Sequence, residues 1–250
     1  MRLLSAAAVA TMASLSLARP AAGQPPDPSR KWEILDNSFL IEESFNQERG
    51  VVQNIFSWTR DPGGGWGASF TQEWPAPGTA HQLSYTLPFA AISDATGWGD
   101  VFLNYRYQLL EESGSVPAIA PRVSVILPTG RSEDGLGAGT YGIQFNLAAS
   151  KQYGDFYVHG NAGFTWRPDI QRTPSLGASG IWRAAPMLNL MLEAVVALDE
   201  SAIVSPGVRR GFNFGDHQLV VGAAVPFTRA AGDTSTALLA YVSYELPFSR

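Results

Sequence analysis

Cysteine is absent from the 250 residues, which excludes disulfide staples, thiolate metal sites and thiol nucleophiles. Charge is scarce. Asp, Glu, Lys and Arg make up 16% of the chain, against about a quarter in soluble globular proteins, so something other than charged groups must face much of the surroundings. After the N-terminus no apolar run approaches the roughly 20 residues of a spanning helix. Together with a mean hydropathy of -0.02, that excludes a helical membrane bundle. The net charge is -5 and no basic stripe is present, which argues against a nucleic-acid partner.

Catalytic signatures are missing as well. There is no Gly-x-Ser-x-Gly elbow, and His81, His159 and His217 are too scattered to form a metal-spaced pair. The loop over 131–139 carries Gly135, Gly137 and Gly139, yet it leads into a strand and lacks the Lys-Ser or Lys-Thr of a phosphate cradle. The sequence therefore predicts no catalytic residues, no metal and no cofactor.

What the chain does have, from Val51 onward, is a segment of nine to eleven residues alternating apolar with small or polar, repeated about a dozen times between turn-rich gaps. Strands are predicted over 51–59, 66–74, 81–89, 100–110, 119–127 and 140–148, then over 156–166, 175–183, 188–197, 203–214, 217–227 and 236–248. The fold class this implies is all-β, an antiparallel transmembrane β-barrel of about 12 strands following a cleaved signal peptide. In the last segment Leu238, Ala240, Val242, Tyr244, Leu246 and Phe248 share one face, and Ala237, Leu239, Tyr241, Ser243 and Glu245 share the other. A period of two sets one face against lipid and the other against a lumen.

Alternation alone also fits a soluble sandwich, but further features favour the barrel. Trp58, Trp66, Trp74, Trp98, Trp166, Trp182 and Phe248 fall at or beside strand boundaries, where amphipathic rings sit at a lipid–water interface. Charges such as Arg106, Arg122 and Glu193 fall mid-strand opposite the apolar face, where a watery lumen can solvate or pair them. On a lipid face each would cost about 2 to 4 kcal/mol at the midplane. The predicted lumen-lining set is Asn104, Arg106, Arg122, Gln144, Asn146, His159, Asn161, Arg183 and Glu193. With the C-terminus placed in the periplasm, the outward gaps are 60–65, 90–99, 128–139, 167–174, 199–202 and 228–235, longer on the whole than the inward ones, as external loops are.

Upstream of the barrel, Met1 and Arg2 precede a run rich in Ala, Leu, Val and Met, and Ala21-Ala22-Gly23 offers a signal-peptidase site. Residues 1–23 are thus read as a signal peptide, 24–50 as a periplasmic leader or plug, and 51–250 as the barrel. Glu42, Glu43 and Glu48, with Arg49, could pair with Arg106, Arg122 or Arg183 and set the segment within or across the periplasmic mouth. A solvated arm or an additional edge strand are the alternatives.

Three motifs lie along the chain: 41–53, reading Ile-Glu-Glu-Ser-Phe-Asn-Gln-Glu-Arg-Gly-Val-Val-Gln; Gly97-Trp98-Gly99-Asp100-Val101; and Ile126-Leu127-Pro128-Thr129-Gly130. In combination they resemble the MetA-pathway of phenol degradation family of transporter-like outer-membrane proteins. The resemblance implies a β-barrel linked by name to uptake of aromatic compounds, and it carries no catalytic residues across. The expected setting is the outer membrane of a Gram-negative bacterium, with its lipid, the barrel-insertion machinery and a small-molecule solute as partners. The function expected is passive uptake or binding of small, hydrophobic or aromatic solutes. Two other readings stand beside it: a closed structural or adhesion barrel acting through its external loops, and an outer-membrane lipid-modifying enzyme.

Overall fold

The computed structural model describes residues 33–248 apart from 35, 93, 169 and 199. The signal peptide expected over 1–23 and the first part of the leader lie outside the described residues. Fifteen strands form one sheet: β1 (Val51–Arg60), β2 (Trp66–Pro75), β3 (His81–Ile92), β4 (Ala95–Trp98), β5 (Val101–Tyr107), β6 (Ala118–Leu127), β7 (Gly142–Tyr153) and β8 (Phe156–Arg167), then β9 (Ile170–Ala185), β10 (Leu188–Ala197), β11 (Ser201–Phe214), β12 (His217–Ala224), β13 (Phe227–Ala230), β14 (Asp233–Thr236) and β15 (Leu238–Pro247).

Three pairs of these strands are single staves interrupted once, so the barrel has 12 staves. β4 and β5 both pair with β3, β12 and β13 both pair with β11, and β14 and β15 pair with β13 and β12 in turn. Pro226 explains the second interruption: it has no N–H to give the ladder, and its carbonyl instead accepts from Ala237 across the break in the next stave. The ring closes where β1 meets β15 antiparallel, Val51 opposite Pro247 and Arg60 opposite Leu238. Closure leaves no unpaired edge, which is what a sheet in hydrocarbon requires.

Leu192 is 56% exposed on the outside while the next residue, Glu193, is fully buried inside, the reverse of a soluble protein with a dry core. Leu103, Val125, Ile143, Val158, Val208 and Val242 are likewise exposed, and their neighbours Asn104, Ser124, Arg209 and Ser243 are buried. Aromatic rings cluster at both ends of the wall. Trp98 packs edge-on against Phe89 at 5.0 Å, and Phe156 stacks on Trp182 at 6.3 Å.

The connections differ from those expected. At the end opposite Val51 and Pro247, called here the outer end, three of the predicted loops are tall hairpins in which the strands simply continue, as in β3–β4, β8–β9 and β13–β14. Apolar alternation marks only the lipid-spanning part of a strand, whereas the backbone ladder needs no apolar face and runs on into water. At this outer end the connection between β6 and β7 stays irregular over many residues, with a short 3-10 turn at Ser132–Asp134.

Candidate functional site

A bulge sets up the outer mouth. Leu87 and Pro88 of β3 face the three residues 99–101, because Phe89 pairs with Trp98 and Thr86 with Phe102. The extra residue turns Trp98 outward, 59% exposed, and Asp100 inward, 6% exposed. Asp100 then accepts from Gly130 N at 3.1 Å, Ala138 N at 2.9 Å and Arg167 Nη1 at 3.2 Å, pinning the connection between β6 and β7 against the inner wall. Leu136 seats beside Gly97 and Gly99 in that connection.

The lumen itself holds the segment from Glu33 to Gly50. It starts at the inner end, where Arg183 pairs with Glu33 and Gln218 Nε2 donates to the Glu33 carbonyl. Arg209 of β11 donates to the carbonyls of Asp36 and Asn37 at 2.8 and 2.7 Å. The Asp36 carboxylate accepts from Gln53 and Tyr241 at 2.6 and 2.7 Å. Ser38 bonds Ser179 at 2.8 Å, and Glu193 accepts the backbone N–H groups of Leu40 and Ile41 at 2.8 and 3.1 Å.

Crossing to the opposite wall, the segment presents Glu42 to β5, β6, β7 and β8. One carboxylate oxygen meets Arg106 at 3.2 Å, and the other meets Arg122 and Asn146, both at 2.7 Å. Asn161 brackets the Glu42 backbone, accepting its N–H at 2.9 Å and donating to its carbonyl at 2.7 Å. Arg106 also donates to the carbonyls of Glu43 and Phe45 and to Asn46 Oδ1. Beyond Gln47, which donates to Gln82 at 2.8 Å, the chain descends to Gly50 and enters β1. Thus extended backbone with no partner strand finds its hydrogen bonds on lumen side chains.

Apolar contacts complete the fit. Ile34, Phe39 and Ile41 each rest on inward-facing glycine: Gly211, the Gly207–Gly222 pair, and Gly177. Ile34 packs with Met187, Val220 and Tyr241, and Phe39 reaches Tyr157, Ile181 and Met191.

Burial raises the Glu42 carboxyl, but Arg122 and Arg106 outweigh it and hold the group below its ordinary range. Glu43, buried without a guanidinium on its carboxylate, is pushed up to about 7 by burial; Asp36 and Glu73 add to the rise, while Arg209 and Arg106 oppose it.

Of the lumen residues expected from alternation, Asn104, Arg106, Arg122, Gln144, Asn146 and Asn161 lie in one hydrogen-bonded patch around Glu42. His159 is buried and bonds Ser150 at 2.8 Å, while Ser150 Oγ accepts from Ser44 N at 2.8 Å. Glu193 lies apart from that patch, against Leu40 and Ile41. Arg183 stands at the inner mouth, paired with Glu33 and Asp155, and meets none of Glu42, Glu43 or Glu48 in an ion pair. Glu48 and Arg49 are exposed in the turn before β1, where Val51 N donates to the Glu48 carbonyl. Neither takes part in the ion pairs of Arg106, Arg122 or Arg183. Asp36, Gln53 and Arg209 escaped the sequence reading. Arg209 sits beside Arg210, and only parity, inward for the first and outward for the second, tells them apart. Among the described residues no group of three or more acidic or histidine side chains could hold a metal ion.

A family model described as "Putative MetA-pathway of phenol degradation" matches residues 36–193, from Asp36 of the internal segment into β10. No curated protein matches the chain. Among solved structures, an outer membrane channel from Pseudomonas putida F1 is similar at 14% identity and TM-score 0.55, covering 81% of this chain and 97% of its own. A loop-L8 deletion form of the Vibrio cholerae outer membrane protein OmpT matches at 10% identity and TM-score 0.40, covering 78% and 98%.

Proposed function

The chain belongs to the family of the "Putative MetA-pathway of phenol degradation", and we propose that it is an outer-membrane channel for small solutes, sealed by its own N-terminal segment. The observation that carries this reading is Glu42, whose two oxygens hold Arg106 and Arg122 on adjacent strands. A structural filler is expected to be apolar, since a buried ion pair adds little stability over a well-packed hydrophobic core. A seal that must leave its seat without unfolding the wall is better built from polar contacts that water can replace. The wall is closed and fully laddered without the segment, so its departure costs the barrel no strand pairing.

The fold of the Pseudomonas putida channel supports the same reading. The solute passes down the lumen between the segment's two walls, over Asn104, Arg122, Gln144 and the rest of the polar patch, and leaves at the inner end. Single-channel recording tests it. Glu42→Ala is expected to conduct more than the native chain, and Arg106→Ala with Arg122→Ala is expected to change ion selectivity. Equal, negligible conductance in all three would favour instead a closed structural or adhesion barrel, a reading that the tall outer hairpins also suit.

A further inference from the structure

Of the Asp, Glu, Lys and Arg side chains in the described strands, those at outward positions are Arg60, Lys151, Arg172, Arg210 and Arg229. All are cationic, so these strands present positive charge to the membrane and no acid of their own to balance it. Arg60, Arg172 and Arg229 stand toward the outer end, Lys151 and Arg210 toward the inner. Lys151 pairs with Glu112 at 2.7 Å, and Arg172 lies over the Phe164 ring at 5.6 Å. The Arg210 side chain makes neither a hydrogen bond nor an ion pair with any described residue.

Its setting is apolar. Val208 and Phe212, its outward neighbours along β11, are both exposed, and Leu188 and Val221 lie directly across on β10 and β12. A guanidinium so placed lays its stem along the apolar surface and carries its head toward the nearest polar layer. Phe214 ends the strand, so Arg210 stands about 13 Å along β11 from the inner turn, where its side chain can meet lipid phosphates of the inner leaflet.

Beside it is a recess of about 390 Å³, lined by Pro186 and Met187 of the turn between β9 and β10 and by Arg210, Phe212 and Asn213 of β11. Met187 holds a φ of 59°, a left-handed angle that non-glycine residues seldom take and that persists only where the surroundings impose it. Its carbonyl accepts from Gly211 N at 2.9 Å, which ties the turn to β11 and fixes the shape of the recess.

We infer that this recess seats the headgroup of one inner-leaflet phospholipid, with the phosphate bound by Arg210 and the acyl chains lying over Val208 and the apolar band beyond it. The anion has to come from outside the wall, and a lipid phosphate is the one that also brings hydrocarbon to cover Val208. A guanidinium can meet a phosphate in two parallel hydrogen bonds, and Phe212 stands where aromatic rings border the headgroup layer. The seat is on the outer surface and is independent of whether the internal segment moves.

Native mass spectrometry of the full chain, refolded in dodecyl maltoside and titrated with dioleoyl phosphatidylglycerol, tests the seat. The native chain is expected to hold one lipid about tenfold more tightly than Arg210→Ala does, the scale of one hydrogen bond to a charged group. Arg210→Lys should recover part of the affinity, since lysine meets phosphate as a point charge. Lys151→Ala, which removes a cation already paired with Glu112, should leave it unchanged. Dioleoylglycerol, which lacks the phosphate, should not be retained, and excess inorganic phosphate should not displace the phospholipid. A phosphatidylglycerol spin-labelled at its headgroup should broaden the NMR amide signals of Met187 and Asn213 in the native chain and spare them in Arg210→Ala. Heat-modifiable gel migration checks that each variant folds. Equal retention by the native and Arg210→Ala chains overturns the proposal, as does equal loss in Lys151→Ala, retention of dioleoylglycerol, displacement by inorganic phosphate, or no broadening at Met187 and Asn213.

Discussion

Arg106 and Arg122 stand directly opposite each other on β5 and β6, two like charges in register, and the carboxylate of Glu42 lies against both. Like charges directly across a ladder destabilise it, so the wall is at ease here only while the segment is seated. The same contact that seats the segment relieves the sheet.

Replacing Glu42 by Ala is therefore expected to weaken the seat by about 3 to 5 kcal/mol, the cost of leaving one side of a buried ion pair unpaired. Digestion of the refolded protein at Arg49 and through 33–47 should quicken by at least tenfold while the barrel resists. Unaltered digestion would show that Glu42 does not hold the segment.

The seat should loosen as pH rises. Glu43 is held near 7 instead of its ordinary 4.5 by burial, so its neutral form is favoured while the segment is seated. The sign follows from linkage: a raised carboxyl leaves the seated form most stable below about 4.5, and the seat weakens by about 1.4 kcal/mol per pH unit until it levels off above about 7. Glu42 acts oppositely, below its own ordinary range, and sets the acid limit. Open probability in bilayers is expected to climb between about pH 4.5 and 7, and Glu43→Gln should make the climb shallower, the remainder falling to Asp36 of the same segment, whose carboxyl burial also raises. A flat native profile would contradict the assignment.

At the outer mouth, Asp100→Ala should free the connection between β6 and β7 from Gly130, Ala138 and Arg167. Cleavage after the exposed Arg131 is expected to accelerate about tenfold or more, since hydrogen bonds to a charged group contribute about 1.5 to 3 kcal/mol each. Gly137→Ala should do the same by a different route, because its Cβ would fall 2.7 Å from the Gly130 carbonyl oxygen. Protection in both variants would mean that something else holds the loop.

Leu192→Arg places a charge on the outward face, where Leu192 is 56% exposed, and should destabilise the folded barrel by about 2 to 4 kcal/mol. Heat-modifiable gel migration and refolding into lipid report the loss. On a water-facing surface the same change would be near neutral, so an unaffected barrel would count against lipid contact at this face.

The staves were legible because a closed sheet in lipid writes its two faces into the chain with a period of two. Starts at Val51, Trp66, His81, Phe156, Leu188 and His217 were recoverable from the sequence. Their outer ends were less so: β9 begins at Ile170, several residues before its apolar alternation, since that part of the ladder stands in water. The bulge at Gly99 and Asp100 was hidden too, because one extra residue reverses parity without altering composition.

For the lumen, alternation marked Arg106, Arg122 and Glu193 as facing away from lipid but could not say what each would meet. Glu42, Glu43 and Glu48 are equally acidic in the sequence. Only the path of the segment sets the first between two guanidiniums, buries the second without one and leaves the third in an exposed turn. Phe39 and its glycines lie well over a hundred residues apart, and no local pattern joins them.

By itself, then, the sequence determined an all-β chain with one apolar and one polar face, because side-chain direction in a strand is a local property repeated every second residue. The tertiary structure alone decided which charges pair, which glycines receive a ring and whether the lumen is filled. Those are long-range encounters, created only when 12 staves close and bring distant parts of the chain within hydrogen-bond reach.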